Sequence, residues 1–139
     1  MPLFNFCLVC DDVRIEQGGK ALIIGFYGMV PYVEIGVTQP SAPIPRLTFV
    51  LISGPPIVAG RYHIVLSVKD PQGREVLNKN PAPIDQDVAA GPFNAIIYLQ
   101  PMPLNGVGTY TVTAIVNGKA DFTGKLFINQ GSPAANVNY

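Results

Sequence analysis

Short apolar runs rich in Val, Ile, Phe and Tyr recur along the chain with turn-forming residues between them, which is the pattern of an all-β domain. The runs predict strands over Leu3–Val9, Ala21–Tyr27, Tyr32–Val37, Leu47–Ser53, Tyr62–Lys69, Glu75–Leu77, Ala95–Leu99, Thr109–Asn117 and Lys119–Asn129. No segment carries a competing helical period. Alternation is clearest near the C-terminus, where Tyr110, Val112, Ala114 and Val116 share one face and Thr109, Thr111, Thr113 and Ile115 the other. In the following run Phe122, Gly124, Leu126 and Ile128 alternate with Asp121, Thr123, Lys125 and the apolar Phe127, so its register is less sharply defined.

The turns are chemically explicit. Gln17-Gly18-Gly19-Lys20 and Asn117-Gly118-Lys119 offer residues that tolerate positive φ, and Asp70-Pro71-Gln72-Gly73 puts proline at the second turn position. Three hairpins are expected there. Fourteen prolines, concentrated in Gln39–Pro45, Gly54–Gly60, Asn80–Pro83 and Gln100–Asn105, mark loops or protected edges, because proline removes a ladder donor and forbids helix. The expected architecture is a single antiparallel β-sandwich over residues 1–129, with a flexible Gly, Ser, Pro and Asn tail over 130–139.

Two stretches carry resemblances. Gly106-Val107-Gly108-Thr109-Tyr110-Thr111-Val112 resembles the run into strand F of immunoglobulin-like sandwiches, where a tyrosine hydroxyl bonds back to the backbone at a corner. The cysteine and tryptophan pattern of antibody domains is missing, so the resemblance implies an immunoglobulin-like or related topology and no immune or adhesive role. Cys10, Asp11, Arg14, Glu16, Gly18, Gly19, Lys20, Ile24 and Gly25, with Gly108 and Tyr110 later, resemble the Cys-Asp-x-x-Arg/Lys-x-Glu-x-Gly-Gly-Lys-x-x-x-Ile-Gly and Gly-x-Tyr pattern of an uncharacterised bacterial family of small domains. That resemblance implies no activity.

Charge narrows the partners. Lys plus Arg and Asp plus Glu balance at nine each, so no long-range field favours nucleic acid or an acidic membrane. Only 13% of residues are charged while 48% are hydrophobic, and weak colloidal repulsion of this kind favours self-association or a protein partner. Cys7 and Cys10 stand three apart in one apolar run, on opposite faces of a strand, so they are not expected to bridge and read as buried thiols in a reducing compartment. With no basic leader and no apolar run of about 18 residues, the chain reads as cytoplasmic.

Sites are sparse. Asp12, Arg14 and Glu16 project to one side in the densest polar cluster, and Ile57, Val58, Met102 and Leu104, with Ile44, lie in the Pro-rich loops. These are the interaction candidates. Asp70, Asp85 and Asp87 are candidate loop carboxylates for a calcium ion, the alternative reading being a small-ligand or calcium-binding domain. His63 is the only histidine and lacks further zinc ligands, no nucleophile motif surrounds any Ser or Cys, and Gly18-Gly19-Lys20 lacks the rest of a phosphate loop. The expected role is therefore non-enzymatic and free of cofactors: a protein-interaction or self-assembly module, with an open sheet edge able to pair with a second copy.

Overall fold

The computed structural model describes residues 3–54, 57–77 and 83–131. Nine strands run β1 (Phe4–Ile15), β2 (Ala21–Met29), β3 (Val33–Val37), β4 (Leu47–Ser53), β5 (Gly60–Lys69), β6 (Ile84–Val88), β7 (Asn94–Leu99), β8 (Gly108–Val116) and β9 (Lys119–Gln130). Among the described residues there is no helix. The strands form a four-stranded sheet, β2-β1-β4-β7, and a five-stranded sheet, β3-β9-β8-β5-β6. One sheet curls towards a half-barrel instead of lying flat, so the plain sandwich expected from the sequence holds only as two sheets about one core. Pairing is antiparallel except where β3 lies parallel to β9.

The core between the sheets takes one side of each strand. Phe4, Cys7 and Val9 of β1, Leu47, Phe49 and Leu51 of β4, and Ile97 and Leu99 of β7 meet Ile64 and Val68 of β5, Tyr110, Val112 and Ala114 of β8, and Leu126 and Ile128 of β9. The alternation read in β8 and β9 is thus the core alternation, with Phe127 on the outer side.

Two expected strand boundaries are corrected. β1 continues past Val9 to Ile15, because its polar second half pairs with Ala21–Phe26 of β2 in a long hairpin closed by the Gly18-Gly19 turn. Glu75–Leu77 makes only an isolated bridge to Lys69, since the Glu75 carboxylate itself accepts from the Ser67 hydroxyl and from the Val68 amide at 2.9 Å, taking the place of a partner carbonyl. The strand that does pair at this edge is β6, where Asp85 and Asp87 alternate in a segment too polar to read as a strand from pattern alone.

The tyrosine corner closes as expected. Tyr110 donates to the Gly106 carbonyl at 2.7 Å and accepts from the Asn105 amide at 2.7 Å. At the far end of the chain Gln130, assigned to the tail by composition, is still paired with Val37, and the Gly131 amide donates to the Val37 carbonyl at 2.9 Å. The remainder of the expected tail, 132–139, lies outside the described residues, as does most of the Asn80–Pro83 loop.

Candidate functional site

The two sheets differ on their outer faces. Paired residues of adjacent strands share a face, so the register identifies each row across a sheet. Across the outer face of the five-stranded sheet run Arg61 with Asp87, His63 with Asp85, Ser67 with Thr113 and Thr123, and Lys69 with Thr111 and Lys125. The apolar Val65 with Ile115, and Phe127 beside Thr109 and Glu34, interrupt a face that is otherwise polar and charged.

Across the outer face of the four-stranded sheet the rows are Phe6 with Ile52 and Asn94; Met29 with Leu8, Val50 and Ile96; Phe26 with Cys10, Thr48 and Tyr98; Ile23 with Val13; and Ala21 with Ile15. None of these residues is charged. Cys10, Val13 and Val50 are buried in a second apolar cluster, separate from the main core, against which Leu8, Ile52 and Ile96 pack. Around it Phe6 (49%), Ile15 (60%), Ile23 (37%), Phe26 (58%) and Tyr98 (42%) stay exposed. Half of a large apolar side chain is on the order of 100 Å², so these, with the partly buried members, leave roughly 600 Å² of apolar surface.

Its two hydroxyls are tied down, while Asn94, at the β7 edge of the Phe6 row, is exposed. The Tyr98 hydroxyl donates to the Val13 carbonyl at 3.0 Å and the buried Thr48 hydroxyl to the Asp11 carbonyl at 3.0 Å. Burial pushes the Cys10 thiol above its ordinary range, with the Asp11 carboxylate adding to the shift, and burial alone pushes Cys7 to about 12. Both cysteines are unpaired and lie in different clusters, one on each side of β1.

The charged cluster of β1 lies at one end of this sheet, off the apolar rows. Asp12 sits 3.3 Å from Arg46 and 3.7 Å from Arg14, and its carboxylate accepts from the Val13 amide at 2.9 Å. Glu16 instead belongs to the hairpin turn, bonding Lys20 and Gly19 through its backbone. Asp11, Asp12, Arg14, Tyr27, Arg46 and Gln100 line an open cleft of about 570 Å³. Tyr27 ionises at about 12, raised first by burial and then by its bond to Asp11 and that residue's charge.

The loop candidates divide. Val58 is exposed, but Ile57, Met102 and Leu104 are buried. Their loops pair through the backbone, Ile44 with Met102 at 2.8 and 2.9 Å and Ile57 with Gly91 at 2.9 and 3.1 Å, and Met102 and Leu104 turn inward to close the core. They are therefore corrected from surface contacts to packing residues.

The carboxylates proposed for calcium do not converge. Asp70 is buried in its turn, accepting from the Gln72 and Arg74 amides at 2.9 Å each and from Asn105 at 3.1 Å. Asp85 and Asp87 stand instead on strand β6, beside Arg61 at 2.9 and 3.4 Å. Among the described residues no three His, Cys, Asp or Glu side chains gather as metal ligands. His63 lies 3.8 Å from Asp85 on the exposed face, with neither thiol beside it in the buried clusters.

Residues 5–128 match the Family of unknown function (DUF6941). The chain belongs to that family. The match takes in all of β2 to β8 and most of β1 and β9, so the charge-free outer face lies within it. No curated protein matches the chain. The resemblance of the Cys10–Gly25 segment has a physical counterpart: a Cβ at Gly25 would collide with the Asp11 carboxylate across the β1–β2 pair.

Sequence reasoning missed the outer face, although a signal was present. β4 (Leu-Thr-Phe-Val-Leu-Ile-Ser) and β7 (Asn-Ala-Ile-Ile-Tyr-Leu) are apolar almost without alternation, which is how a strand covered on both sides reads.

Proposed function

We propose that this protein is a non-enzymatic interaction module that acts through the outer face of its four-stranded sheet. The observation that carries the proposal is the set of uncharged rows from Phe6 to Tyr98, with its own buried cluster beneath exposed aromatics. Solvated antiparallel faces alternate with polar residues, and contiguous apolar patches of several hundred Å² mark contact surfaces. Asp12 and Arg14 border the face and supply a polar rim; Val58 lies outside it.

An immunoglobulin-like topology is part of the same reading. It is supported by the tyrosine corner at the start of β8 and by the consecutive order β9-β8-β5-β6, which parallels the strand G-F-C-C′ order of variable-type domains. The two buried, unpaired thiols support a reducing, cytoplasmic setting.

The test is affinity capture from the native host with wild type and Phe26→Lys in parallel, each shown to be folded by circular dichroism; Phe26 is chosen because it is more than half exposed. A stoichiometric protein, or a second copy, carried by wild type and lost from the variant supports the reading. An identical set of bound proteins on both, or none on either, overturns it.

A further inference from the structure

Resting on that reading, we infer that the occupant of the charge-free face is a second copy of this chain, packed face to face about a twofold axis.

Charge favours a copy over an unrelated protein, and area and polar satisfaction fit the same contact. A twofold contact sets a surface against itself, so any charge it carries meets its own like charge at close range. The outer rows carry none, whereas the opposite sheet, with Arg61, Asp85, Asp87, Lys69 and Lys125, would meet such penalties. The whole chain is also neutral, nine cationic against nine anionic residues, so two copies approach without net repulsion.

Area is the second point. Roughly 600 Å² of apolar surface from each copy gives about 1,200 Å² in total, which enters the range of specific interfaces. Half-buried aliphatic and aromatic side chains on both faces would interdigitate as two sheets do inside a sandwich, about 10 Å apart. The third point is polar satisfaction. Tyr98 and Thr48 already spend their hydroxyls on the Val13 and Asp11 carbonyls, so covering the face leaves neither without a partner.

The edge strand β2 bounds this face and is itself free of charge over Ala21–Met29. Direct β2-to-β2 sheet extension is disfavoured because Gly25 and Gly28 take φ of 66° and 138°, breaking the flat run of donors and acceptors that edge pairing needs. Stacking of faces leaves those irregularities unaffected.

The experiment is light scattering and sedimentation of the full chain across a concentration series, with Phe26→Lys, Phe6→Lys and the distant control Lys125→Glu. Circular dichroism melts establish that each variant is folded, and concentration-dependent hydrogen exchange of wild type gives a readout that needs no substitution. The expected result is a dimer that dissociates in both Phe variants and persists in Lys125→Glu, with exchange around Phe26 and Tyr98 slowing as concentration rises. A dimer that survives both Phe variants, with no slowing there, overturns this face as the dimer contact. A monomer that nevertheless captures a host protein, lost on Phe26→Lys, overturns the second copy and leaves the interaction reading standing. A monomer with no such partner overturns both.

Discussion

The carboxylate of Asp11 occupies the space that a side chain at position 25 would need, across the β1–β2 pair. Gly25 also has a φ of 66°, in the left-handed region. Two costs therefore fall on Gly25→Ala, a collision and a backbone strain of about 1–3 kcal/mol. Denaturant unfolding should show a loss of that order or more. In a double-mutant cycle Asp11→Ala should relieve the collision and leave the strain, giving a coupling of about 0.5–3 kcal/mol. Strict additivity would show that the close approach has no energetic weight.

Tyr110 links its own strand to the preceding turn through two bonds, to the Gly106 carbonyl and from the Asn105 amide. Tyr110→Phe keeps the ring, which is fully buried, and leaves the amide and carbonyl without that hydroxyl. The expected loss is about 1–3 kcal/mol, read from the urea midpoint at unchanged slope. An unchanged midpoint would mean that water replaces the hydroxyl.

Asp70 is held ionised below the ordinary carboxylate range, chiefly by the Arg74 backbone amide, and further by Asn105, the Gln72 amide and the Arg74 charge, against the opposing effect of burial. With the folded value depressed, its contribution to stability is present above the unfolded pKa of about 3.9 and is lost as pH falls through and below it. Melting temperature should thus drop on acidification below about pH 4. In Asp70→Asn this part of the acid limb should flatten; an acid limb identical to wild type would assign it to other carboxylates.

Burial raises both thiols, Cys7 to about 12, so neither is a nucleophile at neutral pH. Alkylation of the native protein should be slow and should follow unfolding, with both cysteines labelled together in denaturant. The sign of the pH effect is opposite to that of Asp70. A raised folded value means stability is intact below the unfolded thiol pKa of about 8.5 and declines as pH rises towards the folded value. Rapid labelling of Cys10 in the native state would show that the outer cluster opens.

Local chemistry in the sequence determined much of this protein. Gly18-Gly19 and Asn117-Gly118 made two hairpins legible, because few residues accept positive φ at a tight turn. Strict alternation from Tyr110 to Val116 revealed which side of β8 meets the core, because successive side chains point to opposite faces. The corner at Tyr110 could be read from a dozen residues, since its partners, Asn105 and Gly106, lie nearby in sequence.

Pairing between distant segments decided the rest. β6 is a strand because β5 offers it a partner edge and Arg61 neutralises Asp85 and Asp87, not because its own residues favour extension. Met102 and Leu104 are buried because the Ile44 backbone, far away in the chain, bonds to their loop and turns it inward. The charge-free face exists only once β1, β2, β4 and β7 lie side by side. Each strand alone shows an apolar run, and only their shared register places Phe6, Phe26, Ile96 and Tyr98 on one continuous surface, because a face is a property of neighbouring strands and not of one segment.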